Sequence, residues 1–145
     1  MVLTELAYQQ GKSCMSFGIF VQRFQHGEAA HFPKMWLEQA FGSHVSKREP
    51  TWGMTLSYPD GGGGDLYFNG EEIHGFTINR PGGRELFNDL YGLMMKAELV
   101  AYWPSCLIMP DISLATHLPE DMLATLGPAK SVTSGEDIIL AIKEA

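Results

Sequence analysis

Two glycine-rich stretches, five histidines and a few carboxylates are the parts of this chain whose residue types could do chemistry. Gly61 to Gly64 is an unbroken glycine run, the composition of a loop that cradles phosphate. Such a loop needs a helix behind it, so that backbone donors and the helix dipole converge on the anion. Here the run leads into a strand-like segment, 65–69, and no Lys stands at P-loop spacing, so a flexible hairpin connection is expected. Asn79-Arg80-Pro81-Gly82-Gly83-Arg84 is the better anion candidate. A strand ends there, two glycines permit close backbone approach, and a helix begins between two guanidinium groups. A helix N-terminus favours negative charge by about 0.3–1 kcal/mol, so Arg80, Gly82, Gly83 and Arg84 form the candidate anion site. The competing expectation is that Glu85 satisfies this helix end and the arginines are solvated or paired.

The remaining reactive side chains are dispersed. His26 and His31 share a loop, but there is no HExxH, and His44, His74 and His117 lie far apart in sequence. Zinc needs three or four converging ligands, so no metal site and no cofactor are expected. Glu71 and Glu72 are adjacent in a strand-like segment and therefore face opposite ways, which suits a solvated hairpin tip rather than an acid–base pair. With Asp60 and Asp65 they are expected to place an acidic patch on one end of the sheet, suited to a basic protein. There is no GxSxG elbow, and Cys106 sits in an apolar run as a small core residue. No catalytic residue is assigned.

The bulk composition agrees with a binding role. The chain has 145 residues, 45% hydrophobic, enough for one domain with a real core. A formal net charge of −7 argues against a grip on nucleic acid. Charged residues are only 19%, while there are eight Met and three Trp, so part of the exterior is expected to be uncharged and able to meet a partner. The two cysteines show no CxxC spacing, and the N-terminus carries no secretory pattern. The longest apolar run, Leu99 to Trp103, is too short to cross a bilayer. A cytoplasmic, membrane-free protein is the resulting expectation.

The elements that must position these groups follow from periodicity. Residues 1–14 read as an N-terminal extension, flexible or a short helix, and 15–145 as a single domain. Phe17, Ile19 and Val21 alternate with Phe20 and Phe24, as in a central strand covered on both sides. Pro33 opens a helix bearing Trp36, Leu37, Ala40 and Phe41, stopped by Gly42. A charged loop follows through Lys47-Arg48-Glu49-Pro50. Three strands, 51–58, 65–69 and 73–79, then form a meander, with Asn69-Gly70 as a hairpin turn. In the first of them Trp52, Met54, Leu56 and Tyr58 share one face. Leu86, Leu90, Leu93, Met94 and Ala97 form the stripe of a second long helix. Strands at 99–103 and 106–109, a helical turn at 111–117, a short helix from Pro119 to Gly127, and a helix from Gly135 capped by Ser134 complete the chain. The order β-α-β-β-β-α-β(β)-α-α predicts an α+β fold with a mainly antiparallel sheet of about five or six strands and helices packed against it.

MSFGIFVQRF from Met15, YPDGGGGDLYF and GFTINRPGG before a helix together resemble small bacterial α+β proteins of the toxin-immunity type. That resemblance implies a non-enzymatic protein that binds and blocks a cognate toxin through an acidic or aromatic surface. On this reading the partner is another protein, a basic toxin, contacted by Trp52, Tyr58, Asp60, Asp65, Tyr67, Glu71 and Glu72. Two alternatives stay open: an anionic-ligand binder or enzyme at Arg80 and Arg84, and a homodimer paired through an edge strand or aromatic patch.

Overall fold

The computed structural model describes residues 17–104 and 106–144; the expected extension 1–14 lies outside them. The central strand β1 (Gly18–Gln25) is antiparallel to both its neighbours, β8 (Gly75–Gly82) and β9 (Leu99–Trp103). Beyond β8 lie β6 (Gly63–Tyr67), β5 (Gly53–Ser57) and β4 (Val45–Glu49), and beyond β9 lie β10 (Cys106–Met109) and β11 (Lys130–Ser131). A short β2 (Glu28–Ala29) folds back on β1, completing a nine-stranded sheet that is antiparallel except for the β10–β11 pair. His26 and Gly27 both have positive φ, 53° and 82°, the backbone of a two-residue hairpin turn between β1 and β2. A separate small ribbon pairs β3 (Phe32–Pro33) with β7 (Glu72–Ile73).

The alternation read in β1 is real, and it divides the core in two. Ile19 and Val21 join Met54, Leu56, Leu66 and Ile78 on one face, under helices α1 (Lys34–Phe41), α2 (Arg84–Ala97) and α4 (Gly135–Glu144). Phe20 faces the other way, with Val100, Tyr102, Leu107 and Met109. This second face is covered by the link between β10 and β11, a 3-10 helix (Ile112–His117) followed by α3 (Met122–Leu126), through Leu114, Leu118, Met122 and Leu126. The fold is therefore α+β with a large, mostly antiparallel sheet, and its second face is covered over β1, β9 and β10.

Three local expectations give way. The charged segment after α1 is a strand, β4, at the sheet edge. Lys47 and Arg48 on it, and a register shift between Val45 and Lys47, discourage pairing with another chain. Asn69-Gly70 does not make a two-residue hairpin. The link between β6 and β8 runs through β7, because Ile73 is buried and pairs across from Phe32. The third concerns Trp52. Gly53 has φ 148°, and a Cβ there would lie 1.9 Å from the Leu66 carbonyl oxygen, so the alternation breaks at this residue. Trp52 leaves the face of Met54 and Leu56 and stacks on Tyr67.

Candidate functional site

Over β8, β6, β5 and β4 the second face of the sheet carries small, polar and aromatic residues that remain partly or wholly exposed. Strand register arranges them in two rows. Asn79, Asp65, Thr55 and Lys47 are successive cross-strand partners, and so are Thr77, Tyr67, Gly53 and Glu49. In the second row Gly53 leaves a gap opposite Tyr67, and the Trp52 indole lies against the Tyr67 ring, centroids 4.5 Å apart and planes 28° apart. Tyr67 is 36% exposed. In the first row the Asp65 carboxylate accepts from the Thr55 hydroxyl at 3.0 Å and from the Arg80 guanidinium at 3.1 Å. Lys47 pairs with Glu49 at 3.0 Å. The face thus neutralises its own charges around an aromatic centre.

The two glycine-rich segments, distant in sequence, meet at one end of this face. A Cβ on Gly62 would lie 2.3 Å from the Gly82 carbonyl oxygen and 2.7 Å from the Gly83 Cα, so the contact needs glycine. Asp60 stands at the junction. Its carboxylate accepts from the Gly62 N–H at 2.8 Å and from the Glu85 N–H at 3.1 Å. Gly83 occupies the N-cap position of α2 and has no side chain to cap with; Asp60 does that work from a turn outside the helix. The Glu85 N–H, then the Gly62 N–H, hold the Asp60 carboxyl below its ordinary range.

This arrangement decides how the anion candidate is built. The helix end formed by Arg80, Gly82, Gly83 and Arg84 holds an internal carboxylate, that of Asp60, rather than the expected Glu85. Arg84 reaches Glu136 at 3.8 Å. Arg80, with φ 52°, sits in a bulge where Arg80 and Pro81 together face Gly64, and this aims its side chain at Asp65.

The acidic patch expected at one end of the sheet is not assembled. Asp60 and Asp65 flank the start of β6, whereas Glu71 and Glu72 follow its end, the length of the strand away. Glu71 pairs with Lys34 at 3.4 Å. Tyr58 is also misplaced by the sequence reading. It is 5% exposed on the helix-covered face, where its hydroxyl donates to Asp89 at 2.7 Å and its ring stacks on His44, so it offers nothing to a partner.

The other reactive groups have local occupations. His26 and His117 lie 5.3 Å apart, and the His117 Nδ1 accepts from the His26 backbone N–H, tying the β1–β2 turn to the 3-10 helix. His31 and His74 lie 5.2 Å apart. Among the described residues no three His, Cys, Asp or Glu side chains converge as a metal would require. Cys106 is buried in the helix-side core, and burial pushes its thiol pKa up. Among the described residues no helix is long and apolar enough to cross a membrane.

A feature missed in the sequence is a cleft of about 250 Å³ on the second face, between β1, β9 and α3. Gln22, Phe24 and Tyr102 line one side, and Pro119, Asp121, Met122, Thr125 and Leu126 the other. The Tyr102 hydroxyl donates to the Gln22 Oε1 at 2.8 Å. The available signal was the alternation that put Phe20 and Phe24 on the face away from the long helices.

The chain matches no protein-family model, and comparison with curated proteins and with solved structures returned no match.

Proposed function

We propose that this is a non-enzymatic binding protein that occludes another protein with the open half of its sheet. The observation that carries this reading is the Trp52–Tyr67 stack. Two large aromatic side chains lie together on a sheet face that no helix covers among the described residues, instead of entering either core. Trp and Tyr are enriched among the few residues that carry most of the energy at protein interfaces, and hydrogen-bonding rows around them supply register. Asn79, Thr77, Thr55 and Asp65 are such rows.

Charge selects the partner. Arg23, Lys34, Lys47, Arg48, Arg80 and Arg84 are each ion-paired within the protein. The chain as a whole keeps a surplus of −7, which favours encounter with a basic protein. A basic toxin, blocked in the cytoplasm by its immunity protein, has the required chemistry, in keeping with the family resemblance of the sequence. The anionic-ligand alternative at Arg80 and Arg84 is less favoured, because a ligand there must displace Asp60.

The test is capture from the source cell with two baits, the wild-type chain and Trp52→Ala/Tyr67→Ala. A basic protein retained by the first and lost by the second, with equal melting of the two baits, is the expected result. The same partner recovered equally by both would refute the surface.

A further inference from the structure

The geometry points to a second, independent site: the cleft between β1, β9 and α3 binds a small organic cation with an apolar body, an alkyl- or arylammonium.

Its walls are apolar and aromatic. Phe24 is half-buried on one side, beside a Tyr102 ring that is stacked on Phe20, and Met122, Leu126 and Pro119 close the other side. An aromatic-walled cleft attracts cations because the ring faces carry the negative end of the quadrupole. The polar atoms are acceptors of the right kind. Tyr102 spends its proton on Gln22, so its oxygen keeps acceptor capacity, as does the Gln22 oxygen.

Asp121 supplies the charge. It occupies the N-cap position of α3, where an aspartate ordinarily accepts from the first turn, yet its side chain makes no capping bond. The Asp121 backbone carbonyl accepts from the Thr125 N–H and hydroxyl at 3.0 Å each. Asp121 is exposed at the cleft and is the only charged residue among the described residues that line it. No Lys or Arg occurs between Lys96 and Lys130, so Asp111, Glu120 and Asp121 leave the covering segment net negative.

A cleft of about 250 Å³ has room for a single ring or a short alkyl chain with its ammonium at the Asp121 end.

The experiment is a titration of the full chain, followed by amide NMR shifts, with three probes of one shape: phenethylammonium, 2-phenylethanol and 3-phenylpropionate. Phenethylammonium is expected to shift the amides of Gln22, Phe24, Tyr102 and 122–126, to bind at least tenfold tighter than the alcohol, and to outbind the carboxylate further. Asp121→Asn, at an exposed position, is expected to reduce ammonium affinity about tenfold and leave alcohol affinity unchanged. Thr125→Trp, also exposed, is expected to close the mouth and abolish binding of all three. Equal binding of ammonium and alcohol, no binding of the ammonium, or indifference to Asp121→Asn would each overturn the assignment. None of these outcomes depends on the protein partner proposed above.

Discussion

The carboxylate of Asp60 reaches the backbone N–H of Glu85, 25 positions further along the chain, at 3.1 Å. One turn of the sheet thereby caps the longest of the described helices and locks the two glycine-rich segments together. What resembled an anion-binding loop in sequence is a structural joint, and its negative charge is built in.

The glycines at this joint differ sharply in how replaceable they are. Gly62→Ala drives a methyl group into the Gly82–Gly83 backbone and is expected to cost about 1–3 kcal/mol, the usual range for overpacking. At Gly82 a Cβ meets nothing within 4 Å and φ is not positive, so Gly82→Ala is expected to be neutral. Urea denaturation of the two variants checks the contrast; equal midpoints would show that the joint is not tightly packed.

Asp60 makes the stability of this joint depend on pH. Its carboxyl is held below the ordinary range by the Glu85 and Gly62 N–H groups, so it stabilises the fold fully above the unfolded-state value of about 4. That contribution is lost as pH falls through the lower folded-state value. Asp60→Ala is expected to melt below the wild type at pH 7, with the gap closing in strong acid. A gap independent of pH would assign the loss to packing rather than to the charged cap.

Two phenols act in the opposite direction. Burial pushes Tyr102 up to about 12, and burial with the Asp89 hydrogen bond raises Tyr58. Because the folded state holds these protons more tightly, stability is complete below the unfolded value of about 10 and declines as pH rises beyond it. Ultraviolet titration is expected to show Tyr58 and Tyr102 ionising late, or only on unfolding. Tyr58→Phe is expected to cost about 1.5–3 kcal/mol at pH 7, the worth of a hydrogen bond to a charged acceptor, and to remove part of the alkaline decline.

Much of this architecture is legible in the residues themselves. The two-sided alternation of β1, the stripe of α2 and the Ser134 start of α4 each record a local burial decision, and local decisions are written in local periodicity. At α4 the capping bonds spread over two residues. Ser134 Oγ accepts from the Asp137 N–H at 3.2 Å, while the Asp137 carboxylate reaches back to Thr133. Long-range choices are not written that way. Nothing near Asp60 announces a helix 25 residues on, and Asn69-Gly70 is a good hairpin dipeptide overruled by the burial of Ile73 beside Phe32. Lys47-Arg48 looks like a loop because an edge strand is under pressure to be charged. Trp52 changes face through one glycine dihedral, which no alternation pattern reveals.

The Trp52–Tyr67 stack is expected to matter for binding and little for folding. Trp52→Ala or Tyr67→Ala should weaken the partner complex by about 2 kcal/mol or more, roughly thirtyfold, with a melting midpoint close to the wild type. Surface plasmon resonance and calorimetry on the same preparations separate the two effects. Unchanged affinity in both variants would remove the stack from the interface.

The central claim, that the open half of the sheet is the contact surface, is tested most directly by site-specific photo-crosslinking in the source cell. A photoreactive side chain would be placed in turn at Thr55, Thr77 and Tyr67 on the open face, and at Met35, Met95 and Leu140, exposed on α1, α2 and α4. The account predicts one basic protein crosslinked from the three sheet positions and none from the helices. Crosslinks from the helix positions, or from no position at all, would contradict it.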